Sequence, residues 1–204
     1  MMTTAEQLPL VLGVTGASGA IYARRLLQVL LEAGREVHLA VSPSGQAVFE
    51  QELGVGLNLK AFSPETLLGC PAPASGRLHY HHYHNLMAPI ASGSFLTGGM
   101  VICPCSGSTL AAVAHAMGEN LIHRAAEVHL KERRKLVVVP RETPLSLPQL
   151  KNMQAVHEAG AVVLPAAPGF YHGAEAVEML VDFVVARICD QVGVDNELIR
   201  RWGS

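Results

Sequence analysis

The sequence predicts one α/β domain built on a doubly wound parallel sheet, of the Rossmann or flavodoxin-like kind. Three observations predict it. Short apolar runs alternate along the chain with segments of helical spacing. The runs are apolar at consecutive positions, as in strands covered by helices on both faces. The first run ends in a glycine-rich turn, Thr15-Gly16-Ala17-Ser18-Gly19, that opens a helix and so starts a βαβ unit. At 204 residues the chain suffices for a single domain with a sizeable core, and residues 1–204 are read as one.

Leu8 to Val14 is the first strand. Ala20 to Ala33 follows as a helix, with Ile21, Leu26, Leu27, Leu30 and Leu31 at helical spacing and Gly34 as its stop. Val37 to Val41 is the second strand, ending at Ser42, and Gly45 to Leu53 a short helix. Residues 54–98 are the least regular stretch, with Pro64, Pro71, Pro73 and the run His79-Tyr80-His81-His82-Tyr83-His84; an excursion from the core is expected here. Ala91-Ser92-Gly93-Ser94 reads as a loop. Met100 to Cys103 is a buried strand that runs into Pro104-Cys105-Ser106-Gly107-Ser108-Thr109 and a small-residue helix, Leu110 to Met117. Leu121 to Arg134 is a helix whose basic end suits the negative pole of its dipole. Leu136 to Val139 is a strand, Pro148 to Ala159 a helix stopped by Gly160, and Ala161 to Leu164 a strand. Glu175 to Val192 is the last long helix, before a tail over about residues 195–204.

Composition excludes several classes. A formal net charge of −2 leaves no electrostatic footprint for nucleic acid. No apolar run is long enough to span a bilayer, and no basic n-region with a long apolar h-region opens the chain. Cys70, Cys103, Cys105 and Cys189 form no CxxC pair, so reduced thiols and a cytoplasmic location are expected. Only 16 % of residues are charged, against roughly a quarter in an average globular chain. Either the core is large or much surface is buried between subunits.

Ligands of open α/β sheets bind beyond the carboxyl ends of the strands, and three segments there carry chemistry. Gly16-Ala17-Ser18-Gly19 offers backbone N–H groups and a helix dipole to a phosphate, although a simple tight turn reads the same way. Cys105-Ser106-Gly107-Ser108-Thr109 is a second such turn, equally compatible with an N-cap by Ser106 or Ser108. Two such turns suit a mononucleotide, with phosphate at one and ring at the other. A dinucleotide is disfavoured: Gly13, Gly16 and Gly19 do not form GxGxxG, and the only acid at ribose-binding spacing is Glu36. No tyrosine is followed by lysine at the fourth position, as a short-chain dehydrogenase requires. In Pro140-Arg141-Glu142-Thr143-Pro144 a cation and an anion stand between two prolines that fix φ. Arg124, Lys131, Arg141 and Arg187 could form a cationic pocket for a second phosphate, each alone being equally at home in solvent. Arg187 stands out because Val184, Val185, Ala186 and Ile188 flank it, and a buried arginine requires an anion. No metal is expected. On one strand His79 and His81 face opposite to His82 and His84, and no carboxylate or cysteine completes a set.

Taken together, these segments resemble the UbiX/Pad-type flavin prenyltransferases over nearly the whole chain. The resemblance is carried by Thr15-Gly16-Ala17-Ser18-Gly19, Ala91-Ser92-Gly93-Ser94, Val101-Ile102-Cys103-Pro104-Cys105-Ser106 and Asn120-Leu121. It continues through Arg124-Ala125-Ala126-Glu127-Val128, Leu130-Lys131-Glu132-Arg133-Arg134, Val139-Pro140-Arg141-Glu142-Thr143-Pro144, Gly160-Ala161, Pro168-Gly169-Phe170-Tyr171-His172 and Arg201-Trp202. The Leu-Lys-Glu-Arg-Arg and Pro-Arg-Glu-Thr-Pro segments are highly specific together.

The resemblance implies an enzyme that joins a dimethylallyl group from dimethylallyl monophosphate to N5 and C6 of reduced FMN, without a metal. The product, prenylated FMN, is the cofactor of UbiD-type decarboxylases. It implies FMN contacts from Gly16, Ala17, Ser18, Ser42, Cys105, Ser106, Gly107, Ser108 and Arg141, with Ser92 beside the site. Lys131, Tyr171 and Arg187 would hold the prenyl phosphate with Arg124 nearby, and Glu52, Glu142 and Trp202 would complete the active site, with Ser18 and Lys131. It also implies a homo-oligomer, a dodecamer, with sites at subunit contacts. Arg141 is expected to keep its neighbour Glu142 ionised. Pro43, directly after Ser42, is a departure expected to shift the Ser42 contact, and the 79–84 stretch matches no family motif. Two rival readings share the fold: an FMN-dependent peptidyl-cysteine decarboxylase and a non-catalytic FMN-binding module.

Overall fold

The computed structural model describes residues 8–171, 173–201 and 203. Six parallel strands lie in the order β3-β2-β1-β4-β5-β6: β1 Leu10–Val14, β2 Glu36–Val41, β3 Arg77–Tyr80, β4 Gly99–Cys105, β5 Leu136–Pro140 and β6 Val162–Val163. The order reverses between β1 and β4, so the crevice where ligands bind such sheets opens above those two strands. Six α-helices connect them, α1 Ala20–Glu32, α2 Pro43–Leu53, α3 Pro64–Leu68, α4 Gly107–Ala114, α5 Leu121–Lys131 and α6 Leu147–Glu158, and α7 Val177–Val192 follows β6.

Consecutive apolar residues in the strands serve two cores. Leu10, Leu12, Val14, Val101, Cys103, Val137 and Val139 face α1, α2, α3 and α7. Val11, Met100, Ile102, Leu136 and Val138 face α4, α5 and α6. This is the doubly wound arrangement the runs predict. No described helix is long and apolar enough to cross a membrane.

Two findings differ from the sequence reading. The 54–98 stretch is not wholly an excursion, because it supplies α3, capped by Ser63 with Pro64 in its first turn, and the edge strand β3. Only four residues long, and exposed at alternate positions, β3 lacks the apolar run that marks the inner strands. Strand β4 continues past Cys103 to Cys105, and its pairing with β5 shifts register between Ile102 and Cys105.

At the reversal point one side chain joins the two turns. Thr15, buried, donates through Oγ1 to Pro104 O at 2.8 Å, and the same oxygen accepts the Ser106 N–H at 2.8 Å. A second turn is set by close packing: a Cβ on Gly16 would collide with Ser44 Cβ at the start of α2, so only glycine lets the β1 and β2 turns approach. Thr15→Val keeps the shape but leaves Ser106 N–H and Pro104 O without this partner. We expect it to destabilise the fold by about 1–3 kcal/mol, read as a lower denaturation midpoint in urea.

Candidate active site

Three strands deliver functional residues to the crevice. β1 ends at Thr15 and the Gly16–Gly19 turn, β4 at Ser106, and β2 at Ser42. Between them lies a cleft of about 390 Å³, bounded by Gly16, Ser42 and Ser44 on one side and by Ser106, Ser108 and Thr109 on the other; Tyr83, Met117, Glu119 and His123 line it as well.

The two glycine-rich turns are electrically different. At the start of α1, Gly19 has φ +116, and its N–H and that of Ala20 both donate to the Glu52 carboxylate, at 2.9 and 2.8 Å. The protein's own anion therefore occupies that helix terminus. At the start of α4, Thr109 N–H goes to Ser106 Oγ and Leu110 N–H to Ser106 O. Gly107 and Ser108 N–H have no protein acceptor among the described residues. With the hydroxyls of Ser106 and Ser108, 3.2 Å apart, they form a cradle for an anion such as a phosphate ester. Of the two turns the sequence proposed for phosphate, α4 is the open one. Ser42 Oγ caps α2 by accepting Gly45 N–H at 3.0 Å, and its O–H can still donate into the cleft. Pro43 occupies the first turn of α2, where its fixed φ suits the helix and leaves Ser42 facing the cleft.

Cys105 lines the core and not the cleft. Burial pushes its thiol up to about 12, and pushes the Cys103 thiol up as well, which disfavours a thiolate nucleophile at either position at neutral pH. Any contact from Cys105 to a ligand runs through its backbone.

Arg141, at the end of β5, reaches across β4: its Nε donates to Ser18 O at 3.1 Å. The guanidinium thus acts on Glu52 and not on the adjacent Glu142, which corrects the expected pairing. Glu142 accepts instead from Gln149 Nε2 and from Thr143 N–H, both at 3.2 Å. Gln149 is itself fixed by the capping box with Ser146 that starts α6. Burial raises the Glu52 carboxyl, but hydrogen bonds from Ser18, Gly19 and Ala20, with the Arg141 charge, outweigh it and hold the group below the ordinary range.

The remaining expected site residues lie elsewhere in the chain. Lys131 ends α5, which leads into the first residue of β5, whereas Arg141 follows its last. The strand is five residues long, about 16 Å, so the two stand at opposite edges of the sheet. Lys131 pairs with Glu132, and the loop carrying Ser92 lies against this pair, so closely that a Cβ on Gly93 would meet both. Arg124 Nε donates to Ala91 O at 3.1 Å in the same loop. Ser92, Arg124 and Lys131 therefore share one loop, with Arg124 beside the cleft residue His123 at the start of α5 and Lys131 at its far end.

Tyr171 and Arg187 form another group. Tyr171 packs edge-on against Phe183, ring centroids 5.7 Å apart, one helical turn before Arg187. The chain after β6 folds back along α7, so the roughly 18 Å that helix rise alone would put between the two is not their separation. Arg187 is exposed, not buried: the helical period turns Val184, Val185 and Ile188 to the core and Arg187 outward, where Asp190 Oδ2 accepts its NH1 at 2.8 Å. The expected single cationic pocket of Arg124, Lys131, Arg141 and Arg187 is accordingly absent within one chain. Trp202 and His172 lie outside the described residues.

Sequence reasoning missed Ser44, Tyr83, Glu119 and His123 as cleft residues. Tyr83 stands in the unexplained histidine-rich stretch, and Tyr83 O accepts Leu121 N–H at 3.0 Å, which draws that stretch over the start of α5. No local pattern encodes this contact.

A doubly wound sheet with an open anion cradle at its reversal point defines a mononucleotide-binding α/β protein, and the chain belongs to the Flavoprotein family, whose model matches residues 2–189. Its relatives within that family are flavin prenyltransferases of the UbiX group. It is 50 % identical over 195 residues to the flavin prenyltransferase UbiX of Pseudomonas aeruginosa, covering 95 % of this chain and 93 % of that one. It superposes with a TM-score of 0.86 on AnUbiX (PadA1) solved in complex with FMN and dimethylallyl pyrophosphate, at 37 % identity over 98 % of this chain and 99 % of that one. A dodecameric FMN-dependent UbiX-like decarboxylase from Escherichia coli O157:H7 gives a TM-score of 0.84 at 39 % identity, covering 97 % and 100 % of the two chains. The cysteine decarboxylase TvaF, at 17 % identity and a TM-score of 0.59 over 92 % and 99 %, shares the fold alone.

The Glu52 cap has a pH consequence. Its carboxyl is lowered by folding, so its contribution to stability is present above the ordinary glutamate value of about 4.3 and is lost as pH falls through the lower folded value. Glu52→Gln should melt below the unsubstituted protein at neutral pH. The gap should close as pH falls below about 4, as thermal melts across that range would show.

Proposed function

We propose that this chain is a flavin prenyltransferase that joins the dimethylallyl group of dimethylallyl monophosphate to N5 and C6 of reduced FMN, giving prenylated FMN. The observation that carries this reading is the open α4 cradle at the reversal point, in a chain half identical to a UbiX enzyme over nearly its whole length. The residues fit FMN: two free N–H groups and the hydroxyls of Ser42, Ser106 and Ser108 suit its phosphate, while Gly16 lines the cleft and, with Ala17 and Ser18, would contact the flavin. Reduced flavin supplies the electron-rich N5 and C6. Arg141 and Glu52 hold the Gly16–Gly19 turn in place behind it.

Lys131, Tyr171 and Arg187 bind the prenyl phosphate in this reading, with Arg124 nearby. Their cations and hydroxyl stabilise the charge that develops on a poor leaving group. Trp202 offers an aromatic face to the departing allylic carbon. Glu142, held by Gln149, moves a proton to the leaving phosphate or from the flavin edge. Since the crevice, Lys131 group and α7 group stand apart in one chain, the site is completed by neighbouring subunits, and a dodecamer is the assembly we propose. Low charge content supports buried subunit contacts, as do exposed Met87, Leu96, Leu147 and Leu150. The recipient of the product is a UbiD-type decarboxylase, and the free cysteines agree with a cytoplasmic setting.

Purified protein given reduced FMN and dimethylallyl monophosphate anaerobically should yield a flavin heavier by one prenyl unit in mass spectrometry; unchanged flavin with both monophosphate and diphosphate would reject the reading. Glu142→Gln should slow that reaction by about 10²–10⁴-fold while FMN affinity changes little. Equal losses of affinity and rate would make Glu142 a structural residue.

Subunit sharing has its own check. Lys131→Ala and Arg141→Ala should each be inactive alone, yet regain partial activity when dissociated and reassembled together, because some mixed contacts recover both intact edges. Mixed oligomers verified by native mass spectrometry and still inactive would place both residues in one chain's site.

A further inference from the structure

Away from the crevice, the two outer strands set metal-ligating side chains on one face. Glu36 and His38 stand two apart on β2 and so point the same way. In the parallel register Glu36 lies opposite Arg77 and His38 opposite His79, which brings Arg77, His79 and, just beyond the strand, His81 to that face. Read along 79–84 alone, the sequence shows no carboxylate to complete a set; the neighbouring strand provides one.

The geometry is that of a ligand set. Glu36 Oε1 lies 3.3 Å from His38 Nε2 and 3.3 Å from His79 Nε2, and the ligand atoms of the three residues lie within 4.8 Å of one another. Those 3.3 Å contacts are long for hydrogen bonds to a carboxylate. These two match the distance of about 3.3–3.4 Å between ligands bound tetrahedrally to zinc at about 2.0–2.1 Å; the widest pair of the set, within 4.8 Å, closes to the same spacing by a turn of the half-exposed His79 ring. The three side chains are themselves held by neighbours. His38 Nδ1 is 2.8 Å from His81 Nε2, and if Nδ1 carries the shared hydrogen, Nε2 turns a bare lone pair toward the carboxylate. Arg77 takes the other carboxylate oxygen, Oε2, at 3.0 Å, which leaves Oε1 facing the two imidazoles. Phe95 covers the buried His38 ring at 5.0 Å, and half-exposed His79 keeps the site open to solvent.

We propose that Glu36, His38 and His79 bind a divalent transition metal, zinc first, with water in the fourth position and His81 orienting His38. Two imidazoles and one carboxylate favour zinc, nickel, cobalt or copper over calcium or magnesium. His38 is four residues, about 13 Å, before the cleft residue Ser42. The metal is therefore a clamp that ties edge strand β3 to β2 and takes no part in the reaction.

The test uses the untagged oligomer, stripped with chelator and dialysed, then titrated with Zn²⁺ alone and in parallel with Co²⁺. We expect one zinc per chain by elemental analysis, the visible absorption of four-coordinate cobalt, and a higher melting temperature with metal. His79→Ala and Glu36→Gln should lose the site; both side chains are partly exposed, so the fold should survive. His81→Ala should keep the stoichiometry but bind about 10–100-fold more weakly. Exposed His115→Ala should bind normally. Absence of zinc uptake, or equal uptake by folded His79→Ala, overturns the proposal.

Discussion

The active crevice depends on Thr15. Strands β1 and β4 are neighbours whose following helices cover opposite faces of the sheet, so nothing in the helical layers ties their ends together. The buried Thr15 hydroxyl does so, donating to Pro104 O and accepting from Ser106 N–H. It gives the Ser106 N–H its acceptor and adds a second donor to Pro104 O, which also accepts the Thr15 N–H at 3.3 Å. It also fixes the distance between the first turn and the α4 cradle, and hence the width of any ligand that bridges them.

With that width fixed, electrostatics assigns the two turns different work. Both offer a helix N-terminus, and a positive pole attracts whichever anion is available. At α1 that anion is internal: Glu52, carried by α2, takes both free N–H groups and is backed by Arg141 from β5. Glu52 and Arg141, from stretches far apart in the chain, thus converge on the first turn and make it a rigid wall. At α4 no side chain fills the role, and the cradle stays available to a phosphate.

A second constraint is the length of the sheet. A helix that returns antiparallel to its strand must deliver its last residues to the far edge, so Lys131 on α5 cannot reach the crevice above its own β5. Arg187 is likewise carried to the outer face of α7. A fold of this size cannot bring all three groups to one point. Assembly can, and exposed apolar side chains such as Leu147 and Met87 mark surface suited to it.

The sequence by itself determined five of the six strands, because consecutive apolar residues have a local signature that the two cores merely divide between them. It also determined the turns, since glycine and hydroxyl residues after a strand carry their own backbone and capping preferences. Pro-Arg-Glu-Thr-Pro was legible as a stiff, charged strand end. What only the tertiary structure decided is which groups meet. Arg141 meets Ser18 and Glu52 instead of its neighbour; Tyr83 crosses to α5; Tyr171 lies beside Phe183; Arg187 faces solvent despite apolar neighbours in sequence. Edge strand β3 was hidden for the same reason, and with it the pairing of His38 with His79. Periodicity records which way a side chain points along its own element. Its partner comes from another element, and strand order and helix direction choose that partner over distances that no local pattern encodes.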